Sequence, residues 1–85
     1  MKRDEIVSLT RKYLLEHFLP GQDPAGLTER TPLIEGGILD SMGTIHLVGF
    51  LEKTFSISIR AHEVDVEHLG TIAAIADLVE RKSAT

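Results

Sequence analysis

All three prolines of the chain, and four of its seven glycines, fall between Pro20 and Asp40. Proline removes a backbone donor and glycine resists ordering, so regular structure has to be built on either side of this stretch. A loop of that length is uncommon in a chain of 85 residues and is often functional where it occurs. Its apolar anchors are Leu27, Leu33, Ile34, Ile38 and Leu39, and the last two are expected to tie its end to the fold. Gly36-Gly37 lets the chain turn in conformations closed to other residues, although ordinary turn punctuation is also a sufficient reason for such a pair.

At about 100° per residue, Leu9, Tyr13, Ile6, Leu14, Val7 and Phe18 share one arc, which predicts a first helix over residues 4–19. Asp4 is its expected cap and Pro20-Gly21 its stop. His17 falls on that arc near the helix end, where a partly buried structural imidazole is expected. A second helix is predicted over residues 41–55, capped by Asp40, with Thr44, Leu47, Val48, Leu51 and Phe55 as its core face. Ile57 and Ile59 alternate with Ser56 and Ser58, which predicts an extended connector. Residues 61–67 suit one short helical turn. Beyond Gly70-Thr71, Ile72, Ile75, Ala76 and Val79 define a last helix ending near Arg81, with a frayed tail over residues 82–85. No segment reads as a sheet strand, a repeat or a linker. The expected architecture is all-α, one domain over residues 1–85: a small four-helix bundle of three main helices plus one short one, with a long loop between the first two.

Composition narrows the function classes. Hydrophobic residues at 42% and charged residues at 26% are ordinary for a globular domain. A domain this small removes only roughly 60% of its unfolded surface from water, so a large enclosed active site is not expected. Nine Lys and Arg against thirteen Asp and Glu give a net charge of −4, which offers no basic field to nucleic acid. The absence of cysteine removes disulfides, thiol nucleophiles and thiolate metal sites together. No apolar run has membrane-span length, and Met-Lys-Arg-Asp-Glu leads into an amphipathic pattern instead of a signal-peptide core. The expectation is a soluble cytoplasmic monomer with no membrane insertion.

The second helix carries an unusual outer face: Ser41, Met42, Ile45, His46, Gly49, Glu52 and Lys53. A small bundle can leave some apolar surface exposed, or a short helix can cover Met42 or Ile45. The sharper reading is a docking patch beside an exposed hydroxyl. Met42, Ile45 and Phe50 then supply apolar contacts, and Glu52 and Lys53 set the charge complementarity. A self-contained serine hydrolase fails on geometry, because His46 lies five residues on from Ser41, about 140° around the wheel. His62, Glu63, Asp65 and His68 lack a usual metal-ligand spacing. No catalytic residue and no metal site are expected, so the chain does not read as an enzyme.

Gly37-Ile38-Leu39-Asp40-Ser41-Met42, after a long loop and opening an amphipathic helix, resembles the modification site of acyl carrier and peptidyl carrier proteins. The resemblance extends through Thr31-Pro32-Leu33, Leu47-Val48 to Phe55, and Gly70-Thr71-Ile72. It implies that Ser41 carries 4'-phosphopantetheine, donated from coenzyme A by a phosphopantetheinyl transferase, with Asp40 as helix cap and transferase contact. The arm's thiol would then hold an acyl or aminoacyl thioester, supplying the sulfur the chain lacks. Gly43 is expected to keep the helix start narrow, and Phe18, Phe50 and Phe55 to fill space that a long acyl chain would need.

Carriers of fatty acid synthesis usually have a strongly acidic second helix. Here Gly43, His46, Lys53 and Thr54 stand at positions commonly acidic in those carriers, and Glu52 alone is acidic. The stretch from Leu33 to Thr44 looks more like free-standing carriers that work with AMP-forming ligases. Partners implied are such a ligase and downstream condensing, transfer or tailoring enzymes of specialised biosynthesis. A fatty-acid-synthesis carrier and an unmodified helical interaction module are the alternatives. Ser56, where the family often has glycine, and Arg60-Ala61 depart from the pattern and leave the connector's detail open.

Overall fold

In a computed structural model describing residues 2–83, the chain is an all-α bundle. Its helices are α1 (Arg3–His17), α2 (Ser41–Phe55), the single turn α3 (Val66–Leu69) and α4 (Ile72–Ser83), with 3-10 turns at Pro24–Gly26 and Ala61–Glu63. No strand occurs among the described residues. Helix α4 is the centre of the packing and meets α1, α2 and α3. Its Ile72, Ile75, Ala76, Leu78 and Val79 are buried against Ile6, Leu14, Leu33, Leu47 and Leu51.

The long loop is held by backbone bonds as well as by its apolar anchors. Leu33 N–H donates to Gly70 O at 2.7 Å, and Ala73 N–H to Glu29 O at 3.0 Å, so the loop is fixed to both sides of the α3–α4 junction. Leu27, Leu33 and Leu39 are buried, while Ile34 and Ile38 pack on the core from its edge. Gly37 has φ +81°, a left-handed conformation that favours glycine. Arg3 ties the start of α1 to the far end of the chain, with Asp77 and Glu80 each at 2.7 Å.

Several expectations need correction. Helix α1 begins at Arg3 with Lys2 as its cap residue, and Asp4 lies in the first turn, making no cap bond. It ends at His17, because Phe18 and Leu19 both donate back to Leu14 O. Its buried stripe runs through Ile6, Thr10 and Leu14, which rotates Leu9 out to 39% exposure. His17 is exposed, with its ring 4.6 Å from that of Tyr13. Residues 61–67 are not one turn: Asp65 accepts from His68 N–H at 2.8 Å and so starts α3 at Val66, separate from the earlier 3-10 turn. Helix α4 continues to Ser83, so Lys82 and Ser83 are helical; Ala84 and Thr85 lie outside the described residues.

Ser56 ends α2 with φ 54° and ψ 49°. A side chain in this left-handed region crowds its own backbone, which glycine avoids. Ser56→Gly is therefore expected to raise stability by about 0.5–1 kcal/mol, the relief of strain being partly offset by glycine's entropy. An unchanged urea midpoint would sink this account.

Downstream, Lys82 Nζ lies 2.7 Å from Glu63 Oε1, which also accepts from Arg60 N–H at 2.9 Å. The bond from Lys82, followed by that from Arg60, holds the Glu63 carboxyl down to about 2, against an ordinary 4.5. A depressed carboxylate contributes its full stability above its unfolded value and loses it as pH falls through its folded one. Glu63→Gln should thus lower stability at neutral pH and flatten the acid denaturation profile between about 4.5 and 2. A parallel downward shift at every pH would contradict this.

Candidate functional site around Ser41

Asp40 sets the geometry of the site. Its backbone is extended, with φ −90° and ψ −171°, and its carboxylate Oδ1 accepts from Gly43 N–H at 2.7 Å. Its carbonyl accepts from Thr44 N–H at 2.9 Å and from the Thr44 hydroxyl at 2.8 Å. Helix α2 therefore starts at Ser41, whose side chain lies at the first helical position and is exposed. Among the described residues no hydrogen bond reaches the Ser41 hydroxyl, and no acceptor meets the N–H groups of Ser41 or Met42. The hydroxyl is accessible, has no base hydrogen-bonded to it among the described residues and lies against the positive end of a helix of 15 residues.

The close fit beneath it depends on Gly43. A Cβ there would stand 2.8 Å from Phe18 Cε1 and 3.1 Å from Asp40 Oδ1. Phe18 belongs to an aromatic group filling the α1–α2 side of the bundle. Tyr13 stacks on Phe50 at 4.0 Å between ring centroids, Phe50 meets Phe55 edge-on at 6.3 Å, and Phe18 meets Tyr13 at 5.9 Å. Phe50, expected as an outward contact, is half-buried by that stack. Burial also raises the Tyr13 phenol above its ordinary value.

Met42 and Ile45 are 61% and 60% exposed, and His46, Gly49 and Lys53 lie exposed on the same helix. Glu52 is oriented differently from the expectation: its carboxylate accepts from Ile59 N–H at 2.8 Å and fastens the extended connector to α2. Opposite the start of α2, Val64 and Val66 are 38% and 44% exposed. With Ile34, Leu39 and Ile45 they line a groove of about 510 Å³ that includes Asp40, Ser41 and Asp65. Sequence reasoning missed these two valines. The available signal was two β-branched residues flanking a cap aspartate in a segment too short to bury both.

Asp65, Glu67 and His68 place one ligand atom each within 4.8 Å of the others. Asp65 Oδ1 already bonds His68 Nδ1 at 2.7 Å and His68 N–H, and these bonds hold its carboxyl below the usual range. His62 and Glu63 do not join the cluster; Glu63 is taken by Lys82.

A small all-α bundle presenting a capped, exposed serine at a helix start is the class that fold and site define. No protein-family model and no curated protein matches the chain. Among solved structures it is similar to a chain in one described as "Crystal structure of FAD-dependent dehydrogenase", at 30% identity and a TM-score of 0.74. The match covers 82% of this chain and 97% of that one, so the matched chain is somewhat the shorter of the two. With that identity over nearly its whole length, the two chains belong to one family. No helix among the described residues is long and apolar enough to cross a membrane.

Gly43→Ala is expected to destabilise the fold by about 1–3 kcal/mol, since the added methyl group must displace the Phe18 ring. In a double-mutant cycle by urea denaturation, the penalty should shrink on a Phe18→Ala background. Full additivity would mean that this contact does not set the cost.

Proposed function

We propose that the chain is an acyl or peptidyl carrier in which Ser41 is modified with 4'-phosphopantetheine. The observation that carries this reading is the capped start of α2, which leaves an exposed serine hydroxyl with no base hydrogen-bonded to it among the described residues. Such a serine suits modification by an external enzyme better than catalysis of its own. The residues present fit the group: a phosphodiester on Ser41 Oγ would lie near the unmet N–H groups of Ser41 and Met42, an arrangement worth about 0.3–1 kcal/mol at an exposed helix start. Asp40 holds the helix start in register for that attachment. When bound, the arm would supply a thiol for thioester chemistry.

Two features favour small cargo and specialised biosynthesis over long acyl chains. Tyr13, Phe18, Phe50 and Phe55 occupy the α1–α2 side of the interior, and the space beside Ser41 is an open groove. An AMP-forming ligase remains the proposed loading enzyme, on the resemblance of the segment from Leu33 to Thr44. The structural neighbour suggests one downstream class to try. A flavin dinucleotide is commonly held by a parallel-sheet fold, and no strand occurs among this chain's described residues. If a flavin dehydrogenase is involved, it would be a separate partner that oxidises the tethered group, its flavin accepting the two electrons.

Intact mass after incubation with coenzyme A, Mg²⁺ and a broad-specificity phosphopantetheinyl transferase tests the core of this proposal. The wild type should gain one phosphopantetheine and Ser41→Ala none. If neither gains mass while a known carrier does, an unmodified interaction module becomes the better reading.

A further inference from the structure

The end of α2 remote from Ser41 opens on a second groove, of about 780 Å³, between the connector and the last turn of α4. Arg60, Arg81, Ser56, Ser58 and the paired Lys82 and Glu63 line it. Three cations stand there against one carboxylate, so the lining carries +2 on a chain whose net charge is −4. The groove beside Ser41 has the opposite character, for Asp40 and Asp65 line it and no cation does. Ser56 and Arg60, two positions at which the connector departs from the resembled pattern, both belong to the second groove.

Its cations are not equivalent. Lys82 is held at 2.7 Å by Glu63, with side chains 19% and 15% exposed, and the two together are nearly neutral. Arg60 and Arg81 are exposed, and neither makes an ion pair among the described residues. Asp77 and Glu80, which share an adjoining hollow with Arg81, each bond Arg3 at 2.7 Å. Glu52 accepts from Ile59 N–H and does not line the groove. Arg81 lies in the last turn of α4, where any cation complements the helix dipole. Arg60 has no such reason, since it precedes the first residue of the 3-10 turn Ala61–Glu63.

We infer that this groove is a second docking site and that it takes an acidic segment of a partner protein, a stretch with several carboxylates spaced along an extended chain. Guanidinium groups bind carboxylates through two parallel hydrogen bonds, and the Ser56 and Ser58 hydroxyls offer further donors. A compact phosphate fits less well: the groove includes the C-terminal end of α2, where the partial charge is negative, and no α-helix begins among its lining residues. The site lies roughly 20 Å along α2 from Ser41, so a partner held there leaves the serine accessible and raises its own local concentration around it. The inference does not depend on what Ser41 carries.

A fluorescein-labelled hexaglutamate peptide is the probe, with binding followed by anisotropy in 20 mM NaCl and mapped by backbone amide chemical shifts. Arg60→Glu and Arg81→Glu should each weaken binding about fivefold or more, and Arg30→Glu, the same charge change on an exposed loop residue, less than about twofold. Circular dichroism checks that each variant is folded, and Arg60→Gln and Arg81→Gln, which remove charge without reversing it, should keep the same order relative to Arg30→Gln. The largest shifts should fall at residues 56–60 and 81–82, and Ser41→Ala should bind as the wild type does. Absence of binding at millimolar peptide overturns the inference, as do shifts centred elsewhere, loss of binding in Ser41→Ala, or an Arg30→Glu variant weakened as much as Arg60→Glu. Displacement of the peptide by an equal concentration of inorganic phosphate overturns it too, in favour of a small-anion site. None of these outcomes bears on whether Ser41 is modified, which the mass measurement decides by itself.

Discussion

The bond from Gly43 N–H to the Asp40 carboxylate, 2.7 Å long, decides where α2 begins, and the geometry of the Ser41 end follows from it. Sliding the sequence by one residue along the helix from this start would rotate every side chain by about 100° about its axis. Ser41 would leave the exposed first position, Gly43 would no longer face Phe18, and Leu47 and Leu51 would turn from the core. Local capping and long-range packing therefore agree on a single register. That agreement holds an exposed serine in a defined place without any bond to its own hydroxyl.

The same device recurs. Asp65 starts α3 as Asp40 starts α2, and Glu52 reaches across to the connector's Ile59 N–H, so three acidic side chains serve the backbone, two of them in the groove beside Ser41. Each satisfies a donor that would otherwise need water. In a chain with a single principal core, these local bonds order segments that packing alone would leave loose. Each bond engages one carboxylate oxygen, and Asp40 and Asp65 keep much of their surface in solvent.

Much of this was legible in the sequence. The limits of α2, its cap, its core face and the buried loop leucines follow from a strong periodic pattern bounded by a proline-rich stretch. The exposed serine and the flanking Met42 and Ile45 could be read from the same wheel. What could not be read depends on partners distant in the chain. Leu9 and Thr10 differ by one position on a weakly amphipathic helix, and the approach of α4 selects Thr10 as the buried one. Glu52 looks like an outward acid on its own helix; that it turns to Ile59 depends on the path of the connector, which no wheel contains. Val64 and Val66 looked like parts of one short turn until Asp65 divided it.

Ser56 joins these threads. The resembled family often has glycine there, and the left-handed backbone at φ 54° gives the physical reason. Keeping a serine obliges the chain to stabilise the turn by other means. Glu52 does so from both ends, its carbonyl accepting from Ile57 N–H at 3.2 Å and its carboxylate from Ile59 N–H at 2.8 Å. The departure at Ser56 and the withdrawal of Glu52 from the outer face are thus linked. The one acid of α2 is engaged in closing its own C-terminus, so the course of the connector decides which way that carboxylate points.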